Sequence, residues 1–306
     1  MSAIRKTKPT LPTSAPRLTT VQDWKQNLGH TKMSLSVPRD SDWWTGLAPL
    51  DTPGLGPDKK LHSLAITNLN SCSRQQVLDY FNNSWTLTEL LFSSLISEEA
   101  FFRPPYHALR HPMIFYYVHP AVLYINKFRL AGMISSPINA YFEKIFETGV
   151  DEMSWDDMSK NDIKWPTIDQ AWQYRREAYE CICNLINSHP GLAPGHDPIS
   201  QRDPLWVLFM GLEHERIHLE TSSVLIRELP TRLVSRPQEW PADDRSSQGA
   251  FSDSPIADKH YPQNNLLPVA SRKVIFGKEE DWPLTDGTTN MDREWLKKKI
   301  SWRVNS

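Results

Sequence analysis

The sequence predicts an all-α protein, a four-helix bundle whose long helices are joined by long crossovers. Apolar residues recur at helical spacing in four long segments, at about 73–97, 112–132, 167–188 and 203–229. Two of these segments open with the pattern of a capping box, Ser73 followed by Gln76 and Thr167 followed by Gln170. Only 271–277 has the pattern of a strand, which favours a helical bundle over an α/β domain.

The second segment opens at Pro112 and is apolar almost all round, so we expect it to be buried. His119 is the one polar residue in the middle of the run MIFYYVHPAVLYI. Pro120 follows it and should disturb the hydrogen-bond ladder of the helix. A lone histidine in an apolar helix is more often a core residue than a ligand. It becomes a candidate ligand when another helix presents histidines beside it.

The fourth segment carries such histidines. Asp203 and Pro204 fit the N-cap and the first position of a helix that ends before Pro230. His214 and His218 are four residues apart, so they project from one face of the helix, one turn apart. Two imidazoles at this spacing can bind one metal ion, although such pairs also occur by chance on solvated helices. We therefore predict that this helix forms one wall of a metal site.

Three histidines are candidates for a third ligand. His119 is favoured because it lies inside a long helix, and a third imidazole is what an open metal site needs. His107 lies in the Pro-rich connector 101–112, and His111 comes just before the helix-opening Pro112, so both rank lower. Three imidazoles suit zinc, iron or copper, and the residue types alone leave the metal open.

Residues 214 to 218 also match the H-E-x-x-H motif of zinc hydrolases, in which Glu215 would be the general base. The extended motif would place a glycine where Thr221 stands, and the charged Arg216 is unusual inside it. A match of five residues often arises by chance, so a zinc hydrolase is the alternative that we rank lowest.

Composition and hydropathy indicate which classes of partner and which cellular compartment to expect. A formal net charge of −2 gives no reason to expect a nucleic-acid partner. No window approaches the roughly 18 consecutive apolar residues of a membrane-spanning helix, so we expect no membrane partner. Three cysteines are too few for a disulfide framework, which favours a reducing compartment and a cytoplasmic location.

Pro-rich segments flank the helices on both sides. We expect residues 1–60 to form a disordered or irregular extension, 61–230 to form the helical metal-binding domain, and 231–306 to form an extended linker and a divergent tail. Besides the strand pattern, the extensions have a helical pattern only near 21–28 and at 291–300.

Three long stretches resemble one protein family. They are FFRPPYHALRHPMIFYYVHPAVLYINK, YFEKIFETGVDEMSWDDMSKNDIKWP and DPLWVLFMGLEHERIHLETSSVLIRELP. Together they look like the N-terminal DinB-like domain of 5-histidylcysteine sulfoxide synthases, which act in ovothiol biosynthesis. The resemblance covers about 60–282 and extends to ergothioneine sulfoxide synthases at the H-x-x-x-H-x-E pattern of His214, His218 and Glu220.

This resemblance implies a DinB-like four-helix bundle with a non-haem Fe(II) ion bound by His119, His214 and His218. The implied reaction uses O2 to join the sulfur of cysteine to an imidazole carbon of histidine and leaves a sulfoxide. Glu215 and Glu220 flank the histidines and would orient an imidazole or a neighbouring arginine rather than bind the ion. No further catalytic residue is assigned.

The resemblance ends near Pro283, and the segment after it does not look like the next domain of the family. In the family, a formylglycine-enzyme-like domain follows and supplies much of the substrate pocket. We therefore expect a truncated form, which would associate with such a domain on another chain. The alternative is a non-catalytic metal-binding or interaction module.

Overall fold

Six α-helices and four short 3₁₀ turns form the part of the chain that the structure, a computed structural model, describes: residues 35, 39–106, 110–147 and 163–241. The helices are α1 (Arg74–Phe92), α2 (Glu98–Phe102), α3 (Met113–Leu130), α4 (Ala140–Ile145), α5 (Ile168–Ser188) and α6 (Trp206–Arg227). The predicted all-α fold is confirmed, with α1, α3, α5 and α6 as the four long helices. None of the helices in these ranges combines the length and the apolar character that a membrane span requires.

Both predicted capping boxes are present and fix where two helices begin. The Ser73 hydroxyl accepts a hydrogen bond from the Gln76 backbone N–H (3.2 Å), and the Gln76 side chain accepts one from the Ser73 N–H (2.8 Å). Thr167 and Gln170 make the same reciprocal pair at 3.2 and 3.0 Å. Each box satisfies two backbone donors that would otherwise lack partners at the start of α1 and α5.

Helix α3 lies at the centre and packs against α2, α4, α5 and α6. Nearly all of its residues are buried, which confirms the burial predicted from its apolar sequence. The helix continues through Pro120 as one element. The central position of α3 brings His119 beside α6, the helix that carries the histidine pair.

Two predicted helix boundaries need correction. The first long helix stops at Phe92 rather than near residue 97, and the short α2 follows it. The last helix begins at Trp206, and Asp203 does not cap it. The Asp203 carboxylate instead accepts hydrogen bonds from the backbone N–H (2.6 Å) and the hydroxyl (2.8 Å) of Ser200, so it closes the preceding turn.

Residues on both sides of the predicted 61–230 domain pack into it. Trp43 and Thr45 are fully buried, and Leu233 is nearly so. The carbonyl of Glu239 accepts a hydrogen bond from the Leu61 N–H (2.9 Å). The domain boundaries remain a prediction. The helical patterns near 21–28 and at 291–300, and the strand pattern at 271–277, lie outside the described residues.

Close contact between α3 and α6 depends on Gly211. A Cβ at this position would overlap ring carbons of Tyr124, which is fully buried and donates a hydrogen bond to Glu215 (3.1 Å). Overpacking of this kind costs about 1–3 kcal/mol, whereas alanine gains about 1 kcal/mol over glycine in helix propensity. We expect Gly211→Ala to lower the free energy of unfolding by roughly 1 kcal/mol, measured by chemical denaturation. An unchanged or higher value would mean that the Tyr124 ring shifts freely.

Candidate metal centre

Three imidazole rings meet where α3 packs against α6. His119 comes from α3, and His214 and His218 come from successive turns of α6. One nitrogen atom from each ring lies within 4.8 Å of the other two. The structure thus brings together the three histidines that the sequence singled out as a candidate group that could hold a metal ion.

The spacing of the two α6 nitrogens and the orientation of the His119 ring both suit a metal ion. His214 Nε2 and His218 Nε2 are 3.1 Å apart. A metal bound about 2.0–2.1 Å from two nitrogens holds them roughly 3.0–3.4 Å apart. His119 Nδ1 lies 2.5 Å from the Phe146 carbonyl oxygen, so this nitrogen carries the proton and leaves the Nε2 lone pair for a ligand. The three residues therefore fit a metal ion.

Burial keeps all three rings neutral, which is the form that binds metals. Desolvation and the neighbouring His218 lower the pKa of His119 to about 3. Burial comes first, followed by the repulsion that His119 and His218 would exert if protonated and by the charge of Lys127, and together they lower the pKa of His214 to about 2. Burial alone lowers the pKa of His218 to about 4. A cation placed at the centre would meet lone pairs and no competing positive imidazolium.

Aromatic side chains enclose one side of the group. Phe115 stacks on His119 with ring centroids 4.9 Å apart and an interplanar angle of 19°. Phe146 packs against Phe115 at 6.0 Å, and Trp165 packs against both. Tyr116 lies 6.2 Å from His218, measured between ring centroids. These rings hold His119 in place and exclude water from that side of the site.

His111, which the sequence offers as an alternative third ligand, is buried but does not join the group. Its ring packs on Phe115, with centroids 4.4 Å apart, and Phe115 in turn stacks on His119. His107, the other alternative, lies outside the described residues. The structure therefore places His119 as the third imidazole beside His214 and His218.

The sequence predicts that Glu215 and Glu220 would orient an imidazole or a neighbouring arginine, and no hydrogen bond between either glutamate and the three rings is found among the described residues. The Nδ1 atoms of His214 and His218 are buried and have no hydrogen-bond partner among the described residues. Glu220 is exposed. Glu215 is fully buried, and its carboxylate accepts hydrogen bonds from Thr88 (3.0 Å) and Tyr124 (3.1 Å). Glu215 follows His214 by one position and Glu220 follows His218 by two. Side chains at these offsets on a helix point in different directions, so neither glutamate shares a face with the histidine before it.

Arg216, the unusual residue within the H-E-x-x-H match, has a structural role. Its guanidinium donates hydrogen bonds to the side chains of Ser84 (2.7 Å) and Asn83 (2.9 Å). It also lies over the Tyr80 ring, 4.5 Å from the centroid. Arg216 therefore ties α6 to α1 on the side away from the imidazoles.

Glu215 links α6 to α1 and α3, and we expect Glu215→Gln to leave metal binding largely intact. Removing a group that orients a metal ligand lowers metal affinity roughly 10–100-fold. We expect Glu215→Gln to lower metal affinity by less than this. Competition against a chelator measures this, with Glu220→Gln as the exposed control on the same helix. A loss of 10-fold or more in Glu215→Gln alone would show that Glu215 acts on the metal site.

A cavity of about 440 Å³ opens beside His214. Its wall is mostly apolar and includes Leu123, Phe209 and Met210. Two charged residues also line it, Lys127 and Glu213. Volumes of roughly 300–1,000 Å³ suit small-molecule ligands, so a small substrate fits here next to the three imidazoles. Nothing in the sequence distinguishes Lys127 or Glu213, because each stands among ordinary helical residues.

Residues 80–222 match the sequence profile of the DinB superfamily. No curated protein matches the chain. The matched range contains α3 and α6 and therefore all three histidines of the group. The chain thus contains a DinB-like domain at residues 80–222, and the candidate metal centre lies inside it.

Proposed function

We propose that this chain is the iron-binding domain of an O2-dependent sulfoxide synthase that joins cysteine to histidine. The observation that carries the proposal is the group of three neutral imidazoles, with no carboxylate among its ligand atoms in the described residues. Three protein ligands leave coordination positions for substrates, as oxygen-activating iron sites require. The resemblance to 5-histidylcysteine sulfoxide synthases supplies the identity of the metal and of the reaction.

The atoms and electrons of the proposed reaction balance with cysteine, histidine and O2 as the only reactants. The thiol of cysteine and an imidazole C–H of histidine each lose a hydrogen, a C–S bond forms, and one oxygen atom of O2 is added to the sulfur. The second oxygen atom leaves as water with the two hydrogens. When bound, Fe(II) would supply the site at which O2 and the thiolate meet.

Residues of the chain hold this site in place. The Phe146 carbonyl fixes the ring of His119 through Nδ1, and Phe115 stacks on its face. The aromatic wall excludes water on one side, and the cavity beside His214 leaves room for a substrate on another. As part of the proposal, a formylglycine-enzyme-like domain on another chain associates with this domain and supplies further contacts to the substrates.

Hydrolysis by zinc is less well supported, because it needs Glu215 as a base at the metal. The Glu215 carboxylate is fully buried and accepts hydrogen bonds from Thr88 and Tyr124. Burial also raises the pKa of Glu215 above its ordinary value, so its geometry and its environment both favour a structural role.

The test is turnover by the iron-loaded chain. Fe(II) is loaded without oxygen, cysteine and histidine are added, and mass spectrometry follows the sulfoxide conjugate after exposure to air. We expect the conjugate from the chain mixed with a formylglycine-enzyme-like domain of the family, and none from His214→Ala under the same conditions. Bound iron without conjugate, with or without that domain, would overturn the proposal and favour a non-catalytic metal-binding module.

A further inference from the structure

Lys127 has a largely buried side chain that lines a cavity, and no described residue supplies an anionic partner for it. Its exposed fraction is 6%, and its ammonium makes no hydrogen bond or ion pair with any described residue. The other buried charged groups of the described ranges are Glu89, Glu143, Arg175 and Glu215, and each makes polar contacts. Lys127 lies in the mostly apolar wall of a cavity, where no described carboxylate pairs with its ammonium. Its position therefore suits an anionic ligand that enters the cavity, because charge-assisted hydrogen bonds to an ammonium are strong.

The position of Lys127 in the helix does not account for its burial. Basic residues in the last turn of a helix interact favourably with the helix dipole. Arg129, in the same turn, obtains that benefit with 39% of its side chain exposed and an ion pair to Glu143 (3.1 Å). Lys127 instead lines the apolar cavity.

That cavity is lined by both Lys127 and His214, one of the three histidines of the group. Lys127 follows His119 by eight residues on α3, which is roughly 12 Å along the helix axis. Side chains on a helix tilt toward its N-terminus, so that of Lys127 tilts toward His119. His214 lines the same cavity, and so does Glu213, whose carboxylate accepts a hydrogen bond from Tyr80 (2.9 Å). The cavity wall therefore carries both signs of charge that a free amino acid carries.

We propose that Lys127 binds the carboxylate of an amino-acid substrate whose side chain reaches the three-histidine group. The ammonium of Lys127 pairs with the carboxylate, and Glu213 lies where it can accept from the amino group. The apolar wall holds the rest of the ligand. The identity of the ligand as an amino acid rests on the proposed function, whereas the anion site itself rests only on Lys127 and the cavity.

Titration calorimetry on the full chain, loaded with Fe(II) without oxygen, tests this with pairs of probes that differ by one carboxylate. The pairs are histidine with histamine and cysteine with cysteamine. We expect Lys127→Met to weaken histidine and cysteine binding about 10- to 100-fold and to leave histamine and cysteamine unchanged. Lys127→Arg should retain part of the preference for the acids. Arg227→Met removes an exposed charge at the far end of α6 and should behave as the wild type.

Stability and metal content separate this role from a structural one. Lys127→Met replaces a cation that has no ion pair among the described residues with an apolar side chain in an apolar cavity wall. Its Tm should therefore equal or exceed that of the wild type, with iron content unchanged. Equal histidine and cysteine affinity in Lys127→Met and wild type would overturn the proposal. If the wild type binds neither amino acid, the amino-acid identity fails together with the proposed function. Titration with propionate then decides the anion site: weaker binding to Lys127→Met supports it, and equal binding overturns it.

Discussion

Alanine in place of His119, His214 or His218 is expected to abolish tight Fe(II) binding. One nitrogen from each ring lies within 4.8 Å of the other two, so each substitution removes one of the three candidate ligands. The loss should exceed the roughly 100-fold upper range seen when a group that only orients a ligand is removed. Anaerobic titration against a competing chelator measures it. Fe(II) should also raise the Tm of the wild type and leave that of the three variants unchanged.

His111→Ala is the matched control for this experiment. His111, like His119, is buried and packs on Phe115, but it lies outside the group and its Nε2 has no hydrogen-bond partner among the described residues. Its substitution removes a similar amount of ring packing and should leave iron affinity unchanged. Full affinity in any of the three alanine variants would show that its histidine is not a ligand. An equal loss in His111→Ala would assign the effect to packing.

The sequence predicts the long helices well because their signals are local. Ser73 and Thr167 each begin a helix through a capping box that can be read from four residues. The position of His119 follows from a different signal, a polar residue at the centre of an apolar run. Burying such a ring requires a partner, and the partner proved to be the Phe146 carbonyl on one nitrogen, with the other histidines nearby.

The features that the sequence does not predict depend on contacts between distant parts of the chain. Thr45 lies in an irregular segment without periodicity, yet its backbone N–H donates to the carboxylate of Glu89 in α1 (3.0 Å). Lys127 has the position of an ordinary cation at a helix end, and only the tertiary fold buries it beside a cavity. Asp203 matches the pattern of a helix cap, but the turn at Ser200 competes for its carboxylate. Such competition cannot be resolved from spacing alone.

Arg175→Met is expected to cause the largest loss of stability. Arg175 is fully buried on α5, where its Nη1 donates to the Tyr117 carbonyl (2.8 Å) and its Nε to the Glu89 carboxylate (3.4 Å). Its guanidinium lies over the Trp85 ring, 4.0 Å from the centroid. Removing it leaves the fully buried Glu89 without its counter-charge, and breaking such a pair costs about 3–5 kcal/mol. Urea denaturation measures the loss, and the exposed Arg227→Met should stay within about 0.5 kcal/mol of the wild type.

The pH dependence of this loss identifies its cause. Burial raises the pKa of Glu89 above its ordinary value of 4.5, and Arg175 opposes that rise. Without Arg175, folded Glu89 therefore holds its proton more tightly than the unfolded chain does. A group with a raised pKa in the folded state stabilises the fold at low pH, and that contribution is lost as pH rises through the folded pKa. We expect the deficit of Arg175→Met to be larger at pH 8 than at pH 5.

Adding Glu89→Gln to Arg175→Met should restore part of the stability at pH 8, because the double variant has no buried charge to leave unpaired. The introduced side-chain amide would still accept a hydrogen bond from Thr45, which is the main polar neighbour of Glu89 besides Arg175. A double variant as unstable as Arg175→Met at both pH values would assign the loss to the missing guanidinium contacts with Trp85 and Tyr117. The charge pair would then be a minor part of how α5 is held against α1 and α3.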